Sequence, residues 1–302
     1  TTTDGTVAIG SSALAANTSG GYNTAIGYKS LEDNQTGAYN TAVGYNSLAN
    51  TTNNYNTAVG YASLTSTVGG GGNTAMGHES LYANATTSNN TGIGYQAGFY
   101  TTGADNTYLG YSAGKGAAGA DTNNVGVGSG SLLAVTTGSY NVAVGSACLD
   151  ALTTGGSNVA IGYAALSAAG AGESSNIAIG ESSMTSADEG SGSGNAINTN
   201  IAIGVNSLTG GDFGSTGSRT LVDNIAIGAN ALNSTGVNSQ TGTVAIGKDA
   251  LTALTSGDGN TAVGYLSLST EDASGGSTAL GYKALKDQNG SGSYAYNTAM
   301  GF

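Results

Sequence analysis

The chain has 302 residues, of which 53 are Gly, none is Pro or Trp and 8% are charged, and its net charge is −12. Six basic residues without a cluster exclude a nucleic-acid partner, which needs a basic stripe. No apolar run approaches the roughly 18 residues of a bilayer span, so no membrane insertion is expected, and a single Cys cannot close an internal disulfide.

One phrase runs from end to end: Asn-Thr-Ala-Val-Gly-Tyr-x-Ser-Leu, as in Asn40–Leu48 and Asn56–Leu64. The first unit, Thr6–Leu14, carries Val7, Ala8 and Ile9 ahead of its glycine, Gly10. The next six units are anchored on Gly27, Gly44, Gly60, Gly77, Gly94 and Gly110. Each has Thr three residues before the anchor and an aromatic ring one after it: Tyr28, Tyr45, Tyr61, His78, Tyr95 and Tyr111. Units on Gly128, Gly145, Gly162, Gly180, Gly204, Gly228 and Gly247 replace that Thr by Val or Ile, and only Tyr163 is then aromatic. Thr and a ring return at Gly264, Gly281 and Gly301. The 17 units lie 16 to 19 residues apart, except two intervals of 24 and a last one of 20.

Ala stands two before the anchor in 14 of 17 units, between a β-branched residue and an Ile, Val, Leu or Met. Such a period-2 run of β-formers predicts a short strand. The β-branched and aliphatic columns are assigned to the interior of a coil. The Ala column is assigned to the outside, as a strip that another copy's backbone can approach. Asn, four before the anchor in 14 of 17 units, predicts a ladder of side-chain hydrogen bonds. The anchor Gly predicts positive φ or close backbone approach. Leu, four after it in 13 of 16 complete units, is sent into the coil; Gly98, Gly114 and Met184 are the exceptions.

One such repeat cannot bury its own apolar face, whereas a stack can. The expected fold is therefore an all-β parallel β-solenoid, or β-roll, of about 17 rungs. It would form one continuous domain over residues 1–302, with longer loops near 185–199 and 209–223. Rungs about 4.8 Å apart would stack to roughly 80 Å.

Thr6–Leu14, Asn158–Leu166 and Asn176–Met184 resemble the head repeat of trimeric autotransporter adhesins. That resemblance implies a left-handed roll with three chains side by side, although its repeats have about 14 residues where these are longer. Asn40–Tyr45 and Asn260–Tyr265 are similar to the repeat shafts of phage-type tail fibre proteins, which often precede a self-cleaving trimeric chaperone domain. Together these imply a homotrimeric fibre, extracellular, on a cell surface or virion-borne, that spaces or presents receptor-binding elements. Its partner would be itself, with a cell-surface receptor or glycan as a further one. The alternatives are an autotransporter adhesin head and a subunit of an end-to-end filament. Neither end of the sequence reads as a capping repeat, so either continuation or end-to-end joining is expected.

Catalytic chemistry is not expected, and neither is a cofactor or metal. Cys148 reads as a small filler in the Ser/Ala column three after the anchor, and His78 as a member of the aromatic column; a threefold ring of His78 would hold a metal only if that column faced the axis. The pairs Glu32–Asp33, Asp188–Glu189 and Glu271–Asp272 read as solvated loop charges. Sequons at Asn17, Asn34, Asn50, Asn84, Asn89 and Asn233 are expected by chance in so Asn- and Thr-rich a chain, with glycans on loops the alternative. Regular Thr columns can bind ice, but this one shares parity with Ile and Val and so reads as buried. The binding residues expected are Phe213 and Arg219, in the second long loop.

Overall fold

A three-residue strand ends at each anchor glycine. The computed structural model describes residues 4–187, 196–210, 220–234, 238–290 and 294–302, which form two units, Thr1–Tyr140 and Asn141–Phe302. The first holds eight parallel strands, from Val7–Ile9 to Val125–Val127, each paired in register with the next, as in Thr41↔Thr57, Ala42↔Ala58 and Val43↔Val59. The second holds nine such strands, from Val142–Val144 to Thr298–Met300. No helix is present among the described residues, and the expected all-β parallel solenoid is what forms.

Backbone hydrogen bonds run from rung to rung on both sides of each glycine. Thr24 N donates to Asn40 O and Gly27 N to Ile9 O, each at 2.8 Å; beyond the glycine, Leu31 N donates to Ser47 O at 3.1 Å. The anchors meet both expectations set for them. Their φ values lie between +120° and +142°, and a Cβ on Gly60 would sit 2.4 Å from the carbonyl oxygen of Gly77 in the next rung. After the glycine the chain turns through left-handed residues, including the Leu four positions on (Leu31 φ 52°, Leu48 φ 48°, Leu64 φ 50°). That conformation costs a non-Gly residue about 1–2 kcal/mol. Complete burial of a Leu is worth about 1.5–3 kcal/mol and offsets it.

The faces of the strand are the reverse of the sequence expectation. Ala25, Ala42, Ala58 and Ala75 are fully buried and pack with Leu31, Leu48, Leu64 and Leu81 in one core. The columns on either side of Ala point outward: Thr24, Thr41 and Thr57 are half-buried, and Ile26, Met76 and Leu109 are exposed. The walls of this coil stand so close that a Leu from one leaves room only for an Ala on the other. The Ala strip is therefore interior and unavailable to another copy, and the Thr column that parity had placed inside lies on the outer face.

The Asn ladder forms as expected. Asn40, Asn56, Asn73, Asn90 and Asn106 are fully buried, and each backbone N–H donates to the Oδ1 of the Asn one rung earlier, at 2.9–3.0 Å. Their Nδ2 groups donate to loop carbonyls one rung further on, as Asn40 does to Asn53 O at 2.7 Å. Thr243 interrupts the series: its N–H still donates to Asn224 Oδ1, but its buried Oγ1 has no partner.

The two long intervals and the one after them carry more than loops. Ala196–Asn198, Thr220–Val222 and Gln240–Thr241 pair in parallel as a three-stranded sheet that buries Ile197 and Leu221.

Two substitutions test this packing. Ala58→Leu overfills the core and should cost about 1–3 kcal/mol, whereas Val59→Ala on the outer face should change the urea midpoint of the free chain far less. Thr243→Asn should raise the unfolding free energy by about 1 kcal/mol, read as a higher urea midpoint, because its amide satisfies the buried site and continues the ladder.

Candidate functional site

Phe213 and Arg219, the expected binding residues, lie outside the described residues, as do Asp188 and Glu189. The remaining candidates are placed. Cys148 is fully buried and its thiol donates to Ala160 O at 3.1 Å; burial pushes its pKa up to about 12, which leaves no thiolate for nucleophilic work. His78 is one ring of a stack, 4.9 Å from Tyr61 and 5.2 Å from Tyr95, with Nδ1 3.5 Å from Glu79 Oε2. Among the described residues no group of three or more His, Cys, Asp or Glu side chains is arranged to hold a metal.

Glu271 corrects the reading of the acidic pairs as solvated. It is fully buried, its Oε1 accepts from Ser274 N at 2.8 Å and Gly290 N at 3.2 Å, and its Oε2 accepts from Gln288 Nε2 at 2.8 Å. Asp33, by contrast, is exposed. Two sequons are closed by the fold: Asn34 and Asn84 are fully buried, and Asn34 clasps Gly37 through both its amide atoms, at 2.9 and 3.0 Å. These residues stand seven after their anchors, in a column the sequence reading passed over. It is polar in Asn34, Thr51, Thr67, Asn84 and Glu271 and apolar in Val135, Leu152 and Leu254, so the interior changes character along with the outer columns.

The exceptions Gly98 and Gly114 belong to one compensated repacking. Tyr108 takes the Ala position of its rung and lies fully buried in the core. The rungs on either side have Gly92 and Gly126 where Ala is usual, and Gly98 and Gly114 stand where Leu is usual. A Cβ on Gly114 would meet the Tyr108 ring at 2.2 Å, one on Gly126 at 3.0 Å and one on Gly98 at 3.1 Å. The buried hydroxyl needs a partner and donates to Asp121 Oδ2 at 2.5 Å. Burial raises the Asp121 pKa to about 6, and burial with the neighbouring carboxylate holds Tyr108 neutral.

The outer face of the sheet has more scope for function. Its floor is the Thr and Ile/Val columns. Beyond the anchors, Tyr28, Tyr45, Tyr61, His78, Tyr95 and Tyr111 stack rung on rung with centroids 4.9–5.3 Å apart. Five residues before the anchors a second ladder, Tyr22–Tyr39–Tyr55, stacks at 5.0 and 5.2 Å. In the second unit Tyr265, Tyr282 and Phe302 repeat the first arrangement. The exposed charge on these columns is sparse, and the rings present their edges outward while covering one another's faces.

Searches with the sequence and the structure match no protein family, and find no significant match among curated proteins or solved structures.

Asp121 gives a pH dependence whose sign is fixed. Its folded pKa lies above its ordinary value of 3.8, so the folded chain holds this proton more tightly than the unfolded chain does. The resulting stability, up to about 3 kcal/mol, is complete below pH 4 and lost as pH rises through about 6. Thermal melting should therefore show wild type gaining on Asp121→Asn as pH falls from 7 to 4.5; a gain in the opposite direction would contradict the assignment.

Proposed function

We propose that this chain is a structural segment of a homotrimeric fibre, most akin to a phage-type tail fibre, in which copies meet along the outward Thr/Val and Ile/Val columns. The observation that carries the proposal is the outer face itself. In each unit a row of aliphatic side chains recurs there at rung spacing, with Met76 46% and Leu109 43% exposed in the first and Leu280 44% in the second. Single exposed apolar residues are ordinary on a protein surface, but a contiguous row marks an interaction surface. The face repeats the same chemistry rung after rung, so an in-register copy of the chain presents a complement of matching period. The interface lies on these columns and not on the Ala strip, which is buried inside each coil. Presentation of receptor-binding elements by such a fibre, on a virion or cell surface, follows from the resemblance of the repeat. An autotransporter adhesin head would share the same assembly, and the flanking gene sequence distinguishes the two.

Ice binding is the competing reading of this face, because the Thr column is outward. Trimer formation would cover that column, so the two readings exclude each other. Sedimentation equilibrium separates them. The trimer has three times the 29.1 kDa chain mass, and the double substitution Val43→Asp, Val59→Asp should return it to monomer without loss of β signal. A stable wild-type monomer would end the trimer proposal, and thermal hysteresis from that monomer would select ice binding.

A further inference from the structure

The ladder Tyr22–Tyr39–Tyr55 stops at Gly72. All four residues occupy the same place five before their anchors and share a left-handed backbone, with φ of 57°, 59°, 64° and 70°. The next position in the series is Asn89, φ 61°. Gly72 thus leaves a gap one ring deep between Tyr55 and Asn89. One wall is the uncovered face of Tyr55, 64% exposed; on the other side the Asn89 amide leans in, its Oδ1 2.9 Å from where a Cβ on Gly72 would stand. The structure has a cavity of about 430 Å³ at this place, lined by Asn53, Asn54, Tyr55, Gly71, Gly72, Ser88 and Asn89.

The rim is polar, neutral and only partly committed. Asn54 Oδ1 accepts from Ala38 N at 2.7 Å, which leaves its Nδ2 as a donor. Asn53 uses its Nδ2 on Gly69 O and keeps Oδ1 as an acceptor. Ser88 Oγ accepts from Gly71 N at 3.1 Å and retains its O–H. Asn89 holds Asp105 through Nδ2 at 3.0 Å and presents Oδ1. Neighbouring backbone fixes the frame, with Gly72 N bonded to Asn54 O and Asn89 N to Gly71 O.

We infer that this gap is a binding site for a neutral pyranose ring, the terminal sugar of a glycan, stacked on Tyr55 at the level of Gly72. The electron-rich face of Tyr55 suits the polarised C–H bonds on one side of a sugar. Amides and a hydroxyl around the rim match equatorial hydroxyl groups in both donor and acceptor sense. A second aromatic ring fits less well, since the rim offers it no apolar edge and would leave these polar groups unpaired. No lysine or arginine lines the gap, which disfavours an acidic sugar. The site is complete within one chain and stands whether or not the trimer forms.

The test uses the whole protein and four probes: the methyl glycosides of galactose, glucose, mannose and N-acetylglucosamine, read by saturation-transfer NMR and by side-chain amide shifts. A ligand of this size in an open site should bind with Kd on the order of 1 mM. Tyr55→Ala removes the platform and Gly72→Tyr fills the gap with the chain's own ring; each should weaken binding at least tenfold. Gly72→Tyr should melt close to the wild-type temperature, because it adopts the conformation of Tyr55 and extends the stack, while Asn89 Oδ1, 2.9 Å from its Cβ, must turn aside. Tyr163→Ala removes an exposed ring of the other column, between Ser146 and Glu181 and away from the Gly72 gap, and should leave binding unchanged. A tetrasaccharide ending in the best probe should bind more tightly than the monosaccharide if the natural ligand is a glycan chain, and equally if it is a free sugar. The inference is overturned if no probe binds at about 50 mM, if Gly72→Tyr binds as wild type does, or if p-cresol enters the gap and the glycosides do not.

Discussion

Successive rungs approach each other backbone to backbone at the anchor glycines, and the rest of the structure follows from that contact. The carbonyl of one anchor occupies the space a Cβ on the previous anchor would take, 2.4 Å away at Gly60, and φ near +135° is open to Gly alone among the twenty residues. The contact repeats at every interval within each unit, so it fixes a common level there for everything at a given distance from the glycine. Asn side chains then meet Asn backbones, Leu meets Leu and Tyr meets Tyr, without any further device to set register.

Close walls make a thin core, and a thin core tolerates change only when neighbours change with it. Tyr108 shows the rule: one large residue in an Ala position is accompanied by glycines in the adjacent Ala and Leu positions, and its hydroxyl brings a buried carboxylate with it. Glu271 shows the same economy with charge, held inside by backbone and Gln288 donors instead of by a cation. Buried polar groups of this kind cost little while every partner is present and much when one is removed.

The interior is thus filled by Ala, Leu and Asn, and the bulkier β-branched, aliphatic and aromatic residues are left for the outer face. An isolated chain is left with an apolar, weakly charged, periodic surface. The proposed trimer covers its floor, and the proposed sugar site uses an interruption in its margin. Both draw on the same periodicity: the interface needs the columns to continue, and the gap exists because one of them does not.

The sequence by itself determined the strands, their termination at Gly, the parallel in-register stack, the Asn ladder and the inward Leu. Each is a local requirement repeated at a constant distance from the anchor, and so is legible in one unit and confirmed by the next. Tertiary structure decided which side of the strand faces in. Period-2 alternation separates Ala from Thr and Val but carries no sign, and size suggested the wrong one, because the separation of the walls is set by Leu returning from beyond the turn. Only the fold showed that Glu271 and Asn34 are interior, that the two long intervals and the one after them pair as a second sheet, and that Gly72 opens a gap beside Tyr55. Those facts depend on what stands one rung away, some 16 to 24 residues along the chain.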